Sequence, residues 1–186
     1  MRPNPAGRGS RKPRKPLDSE QLDALALHYV GRYATSRAKL IRYLDRKIRE
    51  RGWDGASGPD VGGLVERFVR AGYINDAAYA ATRARDLSLR GYGEGRLRQR
   101  LYADGIAEED REEAQAIASE QGVDAALRFA ARRRFGPYAS TAIVDEKARE
   151  RALSAMVRAG HGFALAKKIL AMAPGEEPDR DALSVD

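Results

Sequence analysis

Three observations predict an all-α chain, built as an elongated tandem array of three three-helix, helix-turn-helix-like repeats. First, helix-like runs end eight times in glycine, at Gly31, Gly52, Gly72, Gly91, Gly105, Gly122, Gly136 and Gly160, and the residues close behind include Trp53, Tyr73, Tyr92, Ile106 and Val123. Glycine just past a helix accepts a left-handed turn, and an apolar follower can fold back onto the last turn. Second, taking every third glycine, 53 residues separate Gly52 from Gly105, 55 separate Gly105 from Gly160 and 50 separate Gly72 from Gly122. A repeat of that length is the mark of a tandem array. Third, the few alternating stretches are short and lie inside helical periodicity, so no strand pattern survives. The expected repeats span residues 18–73, 74–122 and 123–173, between a flexible basic arm (1–17) and an acidic tail (174–186).

Each element has a local reason. The arm is rich in Pro, Gly, Arg and Lys and cannot bury enough apolar surface to order itself. Asp18 and Gln21 stand at capping-box spacing ahead of Leu22, Leu25, Ala26 and Tyr29, a helix expected to end near Gly31. Thr35 or Ser36 can cap the second helix, whose Leu40, Ile41, Leu44 and Ile48 form an apolar stripe. On its other side Lys39, Arg42, Arg46 and Arg49 make a basic stripe. Residues 54–59 read as a loop, and the third helix occupies about 60–71, with Gly62 and Gly63 weakening its first turn.

Asn75 opens the second repeat. Its first helix, 76–90, is alanine-rich, which permits close helix approach. A turn at Gly91, Tyr92 and Gly93 leads to a helix over about 94–103 that packs through Leu97 and Leu101 and presents Arg96 and Arg100. Acids at Glu108, Glu109, Asp110, Glu112 and Glu113 then complement the positive end of the next helix. The third repeat starts at Asp124 and places Arg132, Arg133 and Arg134 in a last turn, where the helix dipole favours cations. Helices over 145–159, with Leu153, Met156 and Val157 buried, and 163–172 complete it; the acidic tail is expected to be mobile.

Composition narrows the function. The formal charge is +7 over 186 residues, and the segment between arm and tail is basic in its own right, which favours an anionic partner. Cysteine is absent, removing disulfide and thiolate chemistry. No apolar run approaches the roughly 20 residues a bilayer span requires, and no hydrophobic stretch follows the basic N-terminus, so a cytoplasmic protein without membrane contact is expected. His28 and His161 have no partner at metal-ligand spacing, so no metal and no cofactor are expected. Gly91, Gly93 and Gly95 suggest a phosphate loop, but no strand precedes them and no Gly-Lys-Ser/Thr follows. The chain reads as a binder and not an enzyme. Its candidate contacts are Lys39, Arg42, Arg46 and Arg49, then Arg96 and Arg100, then Arg132, Arg133 and Arg134, able to follow phosphates or an acidic protein surface. Trp53, Tyr73 and Tyr92 follow glycines and are expected to pack onto helix ends more than to stack on bases.

The motifs carry a resemblance. Leu27-His28-Tyr29-Val30, Ser36-Arg37-Ala38-Lys39-Leu40 and Arg51-Gly52-Trp53 resemble the opening of the RecX regulatory family. So do Gly72-Tyr73-Ile74-Asn75-Asp76-Ala77-Ala78-Tyr79-Ala80, Arg90-Gly91-Tyr92-Gly93 and Arg96-Leu97-Arg98-Gln99-Arg100-Leu101, within a match running from about residue 22 to 170. Asn75 stands where the family often has Asp, and Gly160-His161-Gly162 replaces a more usual Gly-Phe turn. The resemblance implies stacked three-helix repeats that bind the RecA filament; single-stranded DNA, bound weakly and without sequence preference, is expected as a second partner, and the chain is expected to be a monomer. It implies a modulator, usually an inhibitor, of RecA in recombination and the SOS response. The alternative is a helix-turn-helix transcriptional regulator, which would ordinarily be a dimer on a palindromic site.

Overall fold

A computed structural model describes residues 15–184, which fall into two compact units. The first holds the described residues up to Ala34 together with Lys39–Tyr73; the second holds Thr35–Ala38 and residues 74 onward. The described residues contain ten α-helices, two 3-10 turns and no strand, as the glycine and apolar spacing predicts.

In the first unit, α1 (Ser19–Arg32) is capped by Asp18, whose carboxylate accepts from the Gln21 N–H at 2.8 Å. Most of α2 (Arg37–Arg51) follows, then α3 (Val61–Arg70), capped by Asp60 through the Gly63 N–H. Gly62 and Gly63 therefore lie inside the first turn of α3. Leu17, Leu22, Ala26, Leu40, Leu44, Val61, Leu64 and Val65 are buried. The expected flexible arm ends before Leu17, which is fully buried and pinned: its N–H donates to the Gly52 carbonyl and its own carbonyl accepts from Asp54. Residues 1–14 of that arm lie outside the described residues.

In the second unit, α4 (Asp76–Leu89), α5 (Glu94–Asp104) and α6 (Glu112–Glu120) surround a core of Tyr79, Ala80, Ala84, Leu97, Leu101, Ile106, Ala114 and Ala118. The alanines of α4 and α6 let those two helices approach closely. A second core, including Leu127, Phe129, Met156, Ile169 and Leu170, is built by α7 (Gly122–Arg133), α8 (Glu146–Arg158) and α9 (Phe163–Ala171). Val157, expected in this core, is 43% exposed.

Six of the eight glycines adopt positive φ: Gly52, Gly72, Gly91, Gly105, Gly136 and Gly160. Gly31 and Gly122 do not, since α1 runs through Gly31 and α7 begins at Gly122. At the end of α7 the left-handed residue is Arg134 (φ 56°), and the Phe135 N–H closes the turn on the Ala130 carbonyl. Gly136 is left-handed as well, and its missing Cβ makes room for the Ile169 carbonyl.

At the start of α2 the Ser36 hydroxyl donates to the Asp104 carbonyl at 2.7 Å, and the Asp76 carboxylate accepts the Arg37 N–H at 3.0 Å. Burial raises the Asp76 carboxyl above its ordinary value, more strongly than that hydrogen bond lowers it. The tail expected to be mobile carries α10 (Arg180–Ser184), held to α7 by an Arg180–Asp124 ion pair of 2.8 Å, while Leu183 packs on the second core.

Candidate binding surfaces

In the first unit, the stripe on α2 places Arg42, Arg46 and Arg49 on the exposed side and Lys39 half-buried. Arg46 lies 3.8 Å from Glu50 and remains largely in solvent. Exposed pairs of this kind contribute well under 1 kcal/mol and leave the cation available to a stronger anion.

In the second unit, a concave site forms where two helical faces meet. Arg83, Asp86, Leu87 and Arg90 recur at intervals of three or four along α4 and its cap, as Arg96, Gln99, Arg100 and Ala103 do along α5. With Tyr92 between them they line a cleft of about 420 Å³. Its four guanidinium groups face one carboxylate, Asp86, which lies 3.7 Å from Arg83. Arg83 also sits over the Tyr79 ring at 4.9 Å. Arg90 and Arg96 form no ion pair among the described residues.

Arg100 is committed differently. Its Nε donates to the buried Asp104 carboxylate at 2.9 Å, and the same oxygen accepts from the Tyr79 hydroxyl at 2.7 Å. The neighbouring charge of Asp104 raises the Arg100 guanidinium above its ordinary value, so it stays cationic. Arg132 of α7 reaches back to donate to the Arg90 carbonyl, and its guanidinium lies 5.8 Å from the Tyr92 ring, with that of Arg96 at 5.9 Å. The structure thus gathers Arg96, Arg100 and Arg132 around Tyr92. Arg133 instead lies 5.7 Å from the Phe135 ring, and Arg134 is exposed at the left-handed cap. Arg83 and Arg90 were missed by the sequence reading, although their spacing along α4 matches that of the arginines found on α5.

The turn carrying Tyr92 is held by backbone. The Gly93 N–H donates to the Ala159 carbonyl and the Gly95 N–H to the Gly160 carbonyl, each at 3.0 Å. Donors that a phosphate loop would offer are therefore already used, in keeping with a turn rather than a nucleotide site. Behind it His161, 5% exposed, places Nε2 3.1 Å from the Gly91 carbonyl and its ring 5.5 Å from Phe129. Burial lowers the His161 imidazole below its ordinary 6.5, outweighing the opposing hydrogen bond. The unfolded chain then binds the proton more readily, so the stability from neutral His161 is complete above pH 6.5 and is lost as pH falls through the folded value. Urea midpoints measured from pH 7.5 to 5 should fall for the natural protein and fall less for His161→Gln; parallel curves would exclude this role.

These features define a class: an all-helical protein with arginine-lined surfaces. Residues 75–114 match the domain described as "RecX, second three-helix domain". The chain is 35% identical to the Regulatory protein RecX of Myxococcus xanthus over 170 residues, 88% of this chain and 90% of that relative. It is 33% identical to the protein of the same name from Agrobacterium fabrum over 159 residues, 83% and 84% of the two chains. The chain therefore belongs to the RecX family of regulatory proteins. The crystal structure of RecX from Lactobacillus salivarius shares the fold, with a TM-score of 0.58 at 16% identity over 81% of this chain and 93% of that one. No helix among the described residues is long and apolar enough to cross a membrane.

Proposed function

We propose that this protein binds the RecA nucleoprotein filament and inhibits RecA recombinase, ATPase and co-protease activity, acting in the cytoplasm in DNA repair and the SOS response. Membership of the RecX family carries this reading. The arginine surfaces support it by offering cations to a polyanionic, periodic target, where several weak contacts on one filament add up through linkage. On this reading the chain works as a monomer of three repeats, 18–73, 74–122 and 123–173, without a cofactor or a catalytic step. Lys39, Arg42, Arg46, Arg49, Arg96, Arg100, Arg132, Arg133 and Arg134 are the proposed contacts with RecA or DNA, joined by Arg83 and Arg90.

Titration of the purified protein into RecA hydrolysing ATP on single-stranded DNA tests this. Inhibition is expected at substoichiometric amounts. Unchanged hydrolysis and strand exchange at every ratio would remove the proposal, and stimulation would reverse its sign. Single-stranded DNA alone should bind without sequence preference. If about six phosphates are neutralised, log affinity should fall with log salt at a slope near −4.

A further inference from the structure

A single strand presents bases as well as phosphates, and the first unit holds matching groups for both. Tyr43 of α2 stacks on Tyr29 of α1, with ring centroids 4.2 Å apart and planes at 20°. Tyr33, just past α1, lies 5.3 Å from Tyr29 and is 51% exposed. Cations surround this group: Arg32 lies 5.8 Å from the Tyr33 ring, and Arg46 and Lys47 lie 5.6 and 5.7 Å from the Tyr43 ring.

Helical spacing ties the tyrosines to the basic stripe. Tyr43 is four residues after Lys39 and three before Arg46, so it borders the line of Lys39, Arg42, Arg46 and Arg49. That line runs about 15 Å along α2, a length that spans a few phosphates. Tyrosines serving only a core would be covered by apolar groups. Here Tyr33 keeps half its surface in solvent, with a guanidinium beside the ring.

We propose that Tyr29, Tyr33 and Tyr43 form the base-stacking platform of a single-stranded DNA site, with Arg42, Arg46 and Arg49 holding phosphates of the same strand. The platform reads no sequence, because every base offers a π-face. It disfavours duplex DNA, whose bases are already stacked on one another. An acidic peptide could satisfy the arginines but would gain nothing from the tyrosine rings, which is why the strand is the favoured occupant. The inference rests on the DNA half of the function proposed above and names where that half resides.

The test uses the full chain without RecA, so the failure of this site and the failure of RecA inhibition are read separately. Fluorescence anisotropy with a labelled oligothymidylate at low salt should show tighter binding than with a duplex of equal length. Tyr33→Ala should weaken strand binding by about tenfold, while Tyr33→Phe should retain it. Tyr33 is exposed, so neither change threatens folding. Tyr102→Ala, at an exposed tyrosine of α5, should change nothing. Photocrosslinking to a 5-iodouracil strand should label Tyr29, Tyr33 or Tyr43. Wild-type affinity in Tyr33→Ala, equal binding of duplex, or crosslinks confined to other residues would overturn the platform. Polyglutamate binding that Tyr33→Ala weakens equally would reassign the surface to acidic protein. No strand binding at all would overturn it too, even if RecA inhibition persisted.

Discussion

Gly160→Ala should lower the stability of the protein by about 3–5 kcal/mol, read as a fall in the urea midpoint or a drop in melting temperature on the order of 10 °C. Two independent costs add at this position. Gly160 has φ of 95°, a conformation that residues with a Cβ resist, and an added Cβ would collide with the Arg96 N–H and lie 2.8 Å from the Gly93 carbonyl oxygen. Both obstacles are backbone, so no side chain can swing aside. Relief requires the start of α5 to move away from the turn after α8, stretching the hydrogen bonds from Gly93 to Ala159 and from Gly95 to Gly160. Gly93→Ala separates the two costs. Gly93 sits at an ordinary φ of −86°, yet a Cβ there would meet the Gly160 backbone, so about 3 kcal/mol is expected from collision alone. A loss below about 1 kcal/mol in both variants would mean that the junction yields easily.

Asp104→Ala ranks next, at about 2–4 kcal/mol by the same measurement. The Asp104 side chain is 7% exposed, and its Oδ2 accepts from the Tyr79 hydroxyl and from Arg100 Nε. Alanine leaves the Tyr79 hydroxyl buried without that acceptor and takes the counter-charge from Arg100. Asp104→Asn retains an acceptor and should cost less. The Ser36 hydroxyl bonds the Asp104 main-chain carbonyl, which neither change removes. Arg100 should also become freer to meet an anion in the cleft, so weakened folding would be accompanied by no loss of affinity in the fraction that remains folded. Equal stability of Asp104→Ala and the natural protein would show that the carboxylate contributes little.

The helices were legible because their ends are written locally. Asp18, Asp60, Asn75 and Asp145 each cap the helix they precede. Gly52, Gly72, Gly91, Gly105 and Gly160 each take the left-handed turn that follows one. What escaped the sequence reading depends on partners distant along the chain. The Ser36 hydroxyl donates to the Asp104 carbonyl, 68 residues away. The tail looks too acidic to settle until Arg180 finds Asp124, 56 residues before it. His161, read only as an isolated histidine, acquires a role through the Gly91 carbonyl.

The same distinction governs the candidate surfaces. The stripe on α2 is a property of one helix and can be counted off its sequence. The cleft requires α4 and α5 to face one another across Tyr92, and the alanine-rich pattern of α4 drew attention to its packing side rather than to Arg83 and Arg90. Helical spacing could have revealed those two arginines, but nothing local reveals that they line the same concavity as Arg96 and Arg100.

The glycine junction has a consequence for how the second unit comes apart. Repeat arrays ordinarily approximate one-dimensional chains, in which each repeat has its own stability and the end can fray while its neighbour remains intact. Here main-chain hydrogen bonds join the start of α5 to the end of α8, and neither set of helices can open without breaking them. Those bonds couple the opening of α4–α6 to that of α7–α9, and Arg96 and Arg132, whose guanidinium groups both lie beside the Tyr92 ring, come from the two sides that this junction ties together.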